Sequence, residues 1–147
     1  MLPLLEVNSA LEEFAPSLSA DRLQLVFTRA NVGLGGQELW LARRDAVGDE
    51  WKEPESLTIN DPTMKDSDAV LSPDGLEIWW VRGVSAVDDD LYFARRVAPH
   101  EPFATPTPAV ELNSAAAEGD PWLSADGREI VFFSTRTGEK VLYRATR

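Results

Sequence analysis

Short apolar runs bounded by turn residues recur along the chain. LQLVF at 23–27, EIWW at 77–80 and EIVFF at 129–133 form one set, and each is followed, after a polar loop, by a second run. The second set is ELWLARR from Glu38, DLYFARR from Asp90 and KVLYRAT from Lys140. No segment keeps a 3.6-residue period, and near-continuous apolar runs with aromatics fit strands covered on both faces. Before each first run stands Leu-Ser-x-Asp, beginning at Leu18, Leu71 and Leu123, which ends another strand. Asp74-Gly75 and Asp126-Gly127 then make a tight turn, glycine supplying the positive φ. Arg22 takes the glycine's place in the first copy, where positive φ costs about 1 kcal/mol relative to Gly. PESLTI from Pro54 and PAVEL from Pro108 read as short outer strands. The pattern predicts an all-β protein built of four-stranded units.

The units repeat. Ser19, Ser72 and Ser124 are 53 and 52 residues apart, and each copy opens with an apolar residue followed by Asn8, Asn60 or Asn113. A period near 50 residues marks propellers and related arrays. The expected blades span about 14–59, 67–112 and 119–147. The segments Asn8–Asp21 and Asn113–Asp126 share N-S-x-x-x-E-x-x-P-x-L-S-A-D. Blade one adds Gly33, Gly35 and Gly36, then Glu38-Leu39-Trp40 and Trp51-x-x-Pro54. These features resemble the TolB-like (WD40-like) β-propeller repeat family, in register over essentially the whole chain. In the second copy Asp61-Pro62 replaces the serine and Ala69 stands where Pro16 and Pro121 stand. The resemblance implies a propeller fold and a binding or scaffold role, and the family it points to is often periplasmic or exported.

Three blades are too few to close a ring, since propellers run from about 4 to 8. Residues 3–8, Pro-Leu-Leu-Glu-Val-Asn, match 108–113 in type. They read as an outer strand placed at the front, able to complete blade three of a second chain and hide an edge. The expectation is half of a six-bladed propeller, completed as a homodimer by exchange of the N-terminal strand. A fragment of a longer propeller, or an engineered half, predicts the same assembly.

Charge narrows the partners. A formal net charge of −11 disfavours nucleic acid and anionic membrane surfaces, and suits basic peptides, cations, neutral ligands or simple solubility. The absence of cysteine removes disulfides and thiol chemistry. The N-terminus, as given, has no basic n-region or cleavage site of a signal peptide, and no stretch is apolar enough to span a membrane. In standard blade topology one face gathers Glu12, Glu13, Asp61, Asp66, Asp68, Asp88, Asp89, Asp90, Glu118 and Asp120. Asp68 and Asp120 fall at the channel mouth, with Glu13, Asp66 and Glu118 beside them, and Trp122 lies on the innermost strand. These six are the candidate binding residues, for a peptide or protein segment. Asp and Glu ahead of a strand more commonly satisfy local backbone N–H groups, and core packing is the simpler account of Trp122.

Catalysis finds little support. His100 is the only histidine, lying in a Pro-rich loop on the opposite face, and neither G-x-S-x-G nor H-E-x-x-H occurs. No calcium-type D-x-D-x-D-G run is present, so neither metal nor cofactor is expected. Gly33 to Gly36 precedes no helix and reads as a loop. The expectation is a non-catalytic binding module. A carbohydrate-binding or glycoside-cleaving propeller using channel carboxylates and Trp122 stays open as the alternative, as does a half-propeller with no ligand.

Overall fold

The computed structural model describes residues 3–31, 36–85 and 87–146. Gly33 and Gly35 of the glycine-rich loop lie outside the described residues. Eleven strands, and no helix, form three antiparallel sheets among the described residues. The first sheet holds β1 (Glu13–Leu18), β2 (Gln24–Ala30), β3 (Gln37–Arg43) and β4 (Glu55–Ser56) in sequential order. The second holds β5 (Lys65–Leu71), β6 (Glu77–Gly83), β7 (Asp90–Arg95) and β8 (Thr107–Pro108), likewise sequential. The third holds β9 (Glu118–Leu123), β10 (Glu129–Ser134) and β11 (Val141–Thr146).

One sheet packs face to face on the next. Val26, Leu39 and Leu41 of sheet one meet Ala69, Ile78 and Trp80 of sheet two in a buried cluster, with Phe103 inserted from the β7–β8 connection. Trp79, Val81 and Leu91 of sheet two meet Leu123, Ile130 and Phe132 of sheet three in the next. This explains why the middle strands lack alternation: β6 is buried along its whole length, covered on both faces. Strand β5 packs against β1, β2 and β3, and β9 against β5, β6 and β7, so the first strand of each sheet is the one that touches its neighbour most widely.

The turns between the first and second strands are built identically. Ser19, Ser72 and Ser124 each donate through Oγ at 2.6 Å to Asp21, Asp74 and Asp126. The same hydroxyls accept from the backbone N–H of Gln24, Glu77 and Glu129. Arg22, at φ 62°, adopts the left-handed backbone of Gly75 and Gly127, at 67° and 69°. Residue 22 therefore keeps the glycine geometry without glycine.

The outer strands are shorter than the pattern predicts. Only Glu55–Ser56 and Thr107–Pro108 pair in the ladder, and the rest of each segment turns away. Residues 3–8, expected as a strand, take that same turn. The amides of Val7 and Asn8 both donate to the Leu4 carbonyl, as those of Leu112 and Asn113 donate to Ala109. The β10–β11 ladder also sets Leu142, rather than Val141, in the place of Leu39 and Leu91.

Candidate functional site

Each first strand carries a bulge at its centre. Two residues of β1 (Ala15, Pro16), of β5 (Asp68, Ala69) and of β9 (Asp120, Pro121) oppose one residue of the adjacent strand. The first of each pair is left-handed: Ala15 at φ 50°, Asp68 at 54° and Asp120 at 49°. Bulges re-aim side chains, and left-handed non-glycine residues carry strain that clusters at functional positions. Asp tolerates this backbone better than most residues, Ala less well.

The three bulges converge on one cavity of about 270 Å³, lined by Ala15, Pro16, Asp68, Ala69, Asp120 and Trp122, among others. Asp68 Oδ2 accepts from the Ser67 hydroxyl at 2.7 Å, and the Asp68 amide donates to Thr28 Oγ1 at 3.1 Å, tying this bulge to sheet one. Asp120 is exposed, and Trp122 presents 54% of its surface to solvent although it sits in a strand. A half-exposed indole beside two carboxylates offers a stacking face and two anionic acceptors.

Glu13, Asp66 and Glu118 lie elsewhere. Asp66 and Glu118 are 0% exposed and Glu13 is partly buried, and each of the three is held in a clamp of common design. Glu13 accepts from Arg29 Nε at 2.8 Å, while Arg29 Nη2 donates to the Val7 carbonyl at 2.8 Å. Asp66 accepts from Arg82 Nε at 2.7 Å and Trp80 Nε1 at 2.6 Å, while Arg82 Nη2 reaches the Ile59 carbonyl at 2.5 Å. Glu118 accepts from Ser134 Oγ at 2.5 Å and Arg136 Nη2 at 3.2 Å, and Arg136 also donates to the Leu112 carbonyl. The amides of Ser9, Asp61 and Ser114 complete the three sets. These carboxylates thus fasten the incoming turn to the first two strands of each sheet, and their oxygens face inward. Burial raises the Glu118 and Glu13 pKa, but serine and arginine donors outweigh it and hold both below the usual range.

The connections between second and third strands carry a different acidic group. Asp89 pairs with Lys65 at 2.5 Å, and Asp88 accepts from the Ser85 amide at 2.8 Å. Burial, then the charges of Glu118, Asp88 and Asp89, raise the Asp90 pKa. Among the described residues no group of three or more His, Asp or Glu is arranged to hold a metal ion.

Two arginines that the sequence reading did not single out line another cavity, between sheets one and two. Arg43 and Arg96 bound it with His100 and Phe103. The signal available in the sequence was Gln24, which stands where the repeat otherwise has Glu77 and Glu129.

The chain resembles TolB from Acinetobacter baumannii in structure, with a TM-score of 0.67 and 14% sequence identity, over 96% of this chain and 31% of that one. A putative TolB from Agrobacterium tumefaciens aligns with a TM-score of 0.49 and 19% identity, over 94% of this chain and 59% of that one. No protein-family model matches the sequence, and no curated protein does. The chain has a TolB-like β-propeller fold. It spans about a third of the length of the first of those structures.

Proposed function

We propose that this chain is a non-catalytic propeller module whose axial face binds a peptide or protein segment carrying basic residues. The observation that carries the reading is the convergence of three left-handed bulges on one cavity, presenting Asp68, Asp120 and the half-exposed Trp122. A formal net charge of −11 steers cationic segments toward the surface. Trp122 receives an aliphatic or guanidinium group on its face while the carboxylates accept its hydrogen bonds. The similarity to TolB structures supports the fold of such a module, and the binding role is our inference from the cavity.

The complete ring is part of the same proposal: three blades from each of two copies. Its support is a pair of surfaces that the chain already shows how to join. Leu39 and Leu91 are 0% exposed because the following sheet and turn cover them, whereas their counterpart Leu142 is 74% exposed. On the other side, Leu4, Val7, Phe14, Pro16, Leu25 and Phe27 border an open cavity on sheet one. Their counterparts on sheet two receive sheet one. A second copy's third sheet matches that face, and closure doubles Asp68, Asp120 and Trp122 about one axis.

The test titrates a short lysine-rich peptide and a neutral oligosaccharide into the protein at low and high salt. The reading expects peptide binding that weakens with salt and with Asp120→Asn, and more so with Trp122→Ala. Salt-insensitive binding of the oligosaccharide, lost in Trp122→Ala, would replace it with a carbohydrate-binding role. Binding of neither overturns the axial site.

A further inference from the structure

Position 24 breaks the repeat. Gln24, Glu77 and Glu129 each follow the turn serine by five residues, and across the ladder they face Arg43, Arg95 and Thr146. In sheet two the charges match: Glu77 Oε2 accepts from Arg95 Nε at 2.6 Å. In sheet one the residue opposite Arg43 is a neutral amide. Its Oε1 accepts instead from Arg96 Nη2 at 2.6 Å, an arginine of sheet two.

Two guanidinium groups therefore meet at this seam without a buried carboxylate between them. Arg96 is 6% exposed, donates through Nε to the Gly75 carbonyl at 2.8 Å, and stacks 4.2 Å over the Phe103 ring. Burial, and then the charge of Arg43, push its pKa down to about 10. Arg43 pairs with Glu55, which is exposed at the rim. Arg43 Nε and Arg96 Nη1 are both buried, and neither meets an acceptor among the described residues. Buried charged donors without acceptors are strongly unfavourable and rare in native proteins. Both arginines line one cavity of about 160 Å³, together with Thr58, His100 and two exposed carboxylates, Glu55 and Glu101.

We propose that this seam between sheets one and two binds a small oxyanion, a phosphate or a carboxylate, whose oxygens accept from Arg43 and Arg96. Guanidinium forks suit such anions, and the low local dielectric strengthens the contact. The site operates against a chain whose formal net charge is −11, so selectivity comes from the paired donors and not from the overall field. It is independent of the axial cavity, which lies at the first strands.

The experiment is calorimetric titration of the full chain with sodium phosphate and with sodium acetate, at ionic strength matched by chloride. The expected result is saturable binding of one anion per chain, weakened about tenfold or more by Arg43→Gln, the loss of one charged hydrogen bond. Gln24→Glu supplies the missing carboxylate from within, so it abolishes anion binding while raising the melting temperature. Stronger binding of phosphate than acetate assigns a phosphate site, and the reverse assigns a carboxylate site. Absence of saturable heat in the parent protein overturns the proposal, and so does equal binding in both variants. If Gln24→Glu loses its β-sheet circular dichroism, the half-buried Arg43→Gln variant decides the matter alone.

Discussion

Asn113 clamps the backbone of Leu91. Its Oδ1 accepts from the Leu91 amide at 2.9 Å and its Nδ2 donates to the Leu91 carbonyl at 3.0 Å. Asn60 treats Leu39 in the same way, at 2.8 and 3.0 Å. One side chain thus continues the ladder where the two-residue outer strand has already turned away. A shorter side chain leaves the amide of a buried leucine without its partner, while the Leu39 and Leu91 carbonyls keep the Leu57 and Ala109 amides. Asn60→Ala and Asn113→Ala are each expected to destabilise the fold by about 1–3 kcal/mol, read as a lower denaturant midpoint.

Arg22 holds φ at 62° in the turn where the other two copies have glycine. Its side chain is exposed, and the backbone carbonyl that accepts from Arg44 Nε survives substitution. Arg22→Gly is expected to raise stability by about 1 kcal/mol, because it relieves the left-handed strain. Chemical denaturation measures the change, and a lower midpoint would show that the Arg22 side chain contributes more than its backbone costs.

Asp66 and Arg82 form the most enclosed of the three clamps, and Trp80 Nε1 shares the same carboxylate. Removing one partner leaves a buried charge uncompensated, which typically costs about 3–5 kcal/mol. Asp66→Ala is expected to lose that much and to expose Trp80, detectable by fluorescence. Axial ligand affinity should stay unchanged in a milder Asp66→Asn variant that still folds, since this carboxylate faces inward.

Most of the fold was legible in the chain because the repeat states it three times. The Ser-x-Asp turns and the apolar second and third strands follow from turn chemistry and burial, which are local. The outer strands pair over only two residues, since Leu57, Ile59 and Ala109 are buried by turning into the packing between sheets instead of by pairing, and Val110 is left exposed. The site was less legible. Ala15, Asp68 and Asp120 bear no mark of left-handed backbone, because no glycine announces it. Glu13, Asp66 and Glu118 read as acidic surface until the arginines are considered. Glu13 and Arg29, like Asp66 and Arg82, are 16 residues apart, a spacing that antiparallel pairing brings together.

Acid should weaken the protein for a stated reason. Serine hydroxyls and backbone amides hold Asp21 and Asp126 below the usual carboxylate range, and the Glu13 and Glu118 clamps do the same against burial. A carboxylate whose pKa is lower folded than unfolded contributes stability that is complete above the unfolded value and lost as pH falls through the folded one. Asp90 is raised, so its contribution has the opposite sign. Asp61 and Asp88 are lowered too, by their Thr63 and Ser85 donors, so with six lowered carboxylates against one the urea midpoint is expected to hold through neutral pH and fall below about pH 4. Ser124→Ala removes the first donor to Asp126, so its acid limb should be shallower than the parent's.

The turn at residues 5–7 repeats the turn at 110–112 in its hydrogen bonds, yet within the described residues no strand is seated on Asn8 as Leu91 is on Asn113. Leu142, exposed on β11, occupies the complementary position. The proposed ring closure by a second copy would bring Asn8 of one chain to the Leu142 backbone of the other, twice per dimer. Light scattering on a size-exclusion column, across a dilution series, should therefore return the mass of two chains. Asn8→Ala should raise the dissociation constant by about tenfold or more per clamp, the worth of hydrogen bonds lost at a buried backbone. Leu142→Asp, which places a charge in the seam, should give monomers that retain the β-sheet spectrum. A compact parent monomer at every concentration would overturn ring closure by a second copy. In that case Asn8→Ala would leave the mass unchanged while Asn113→Ala still lowered stability, because only the latter clamp is closed within the chain.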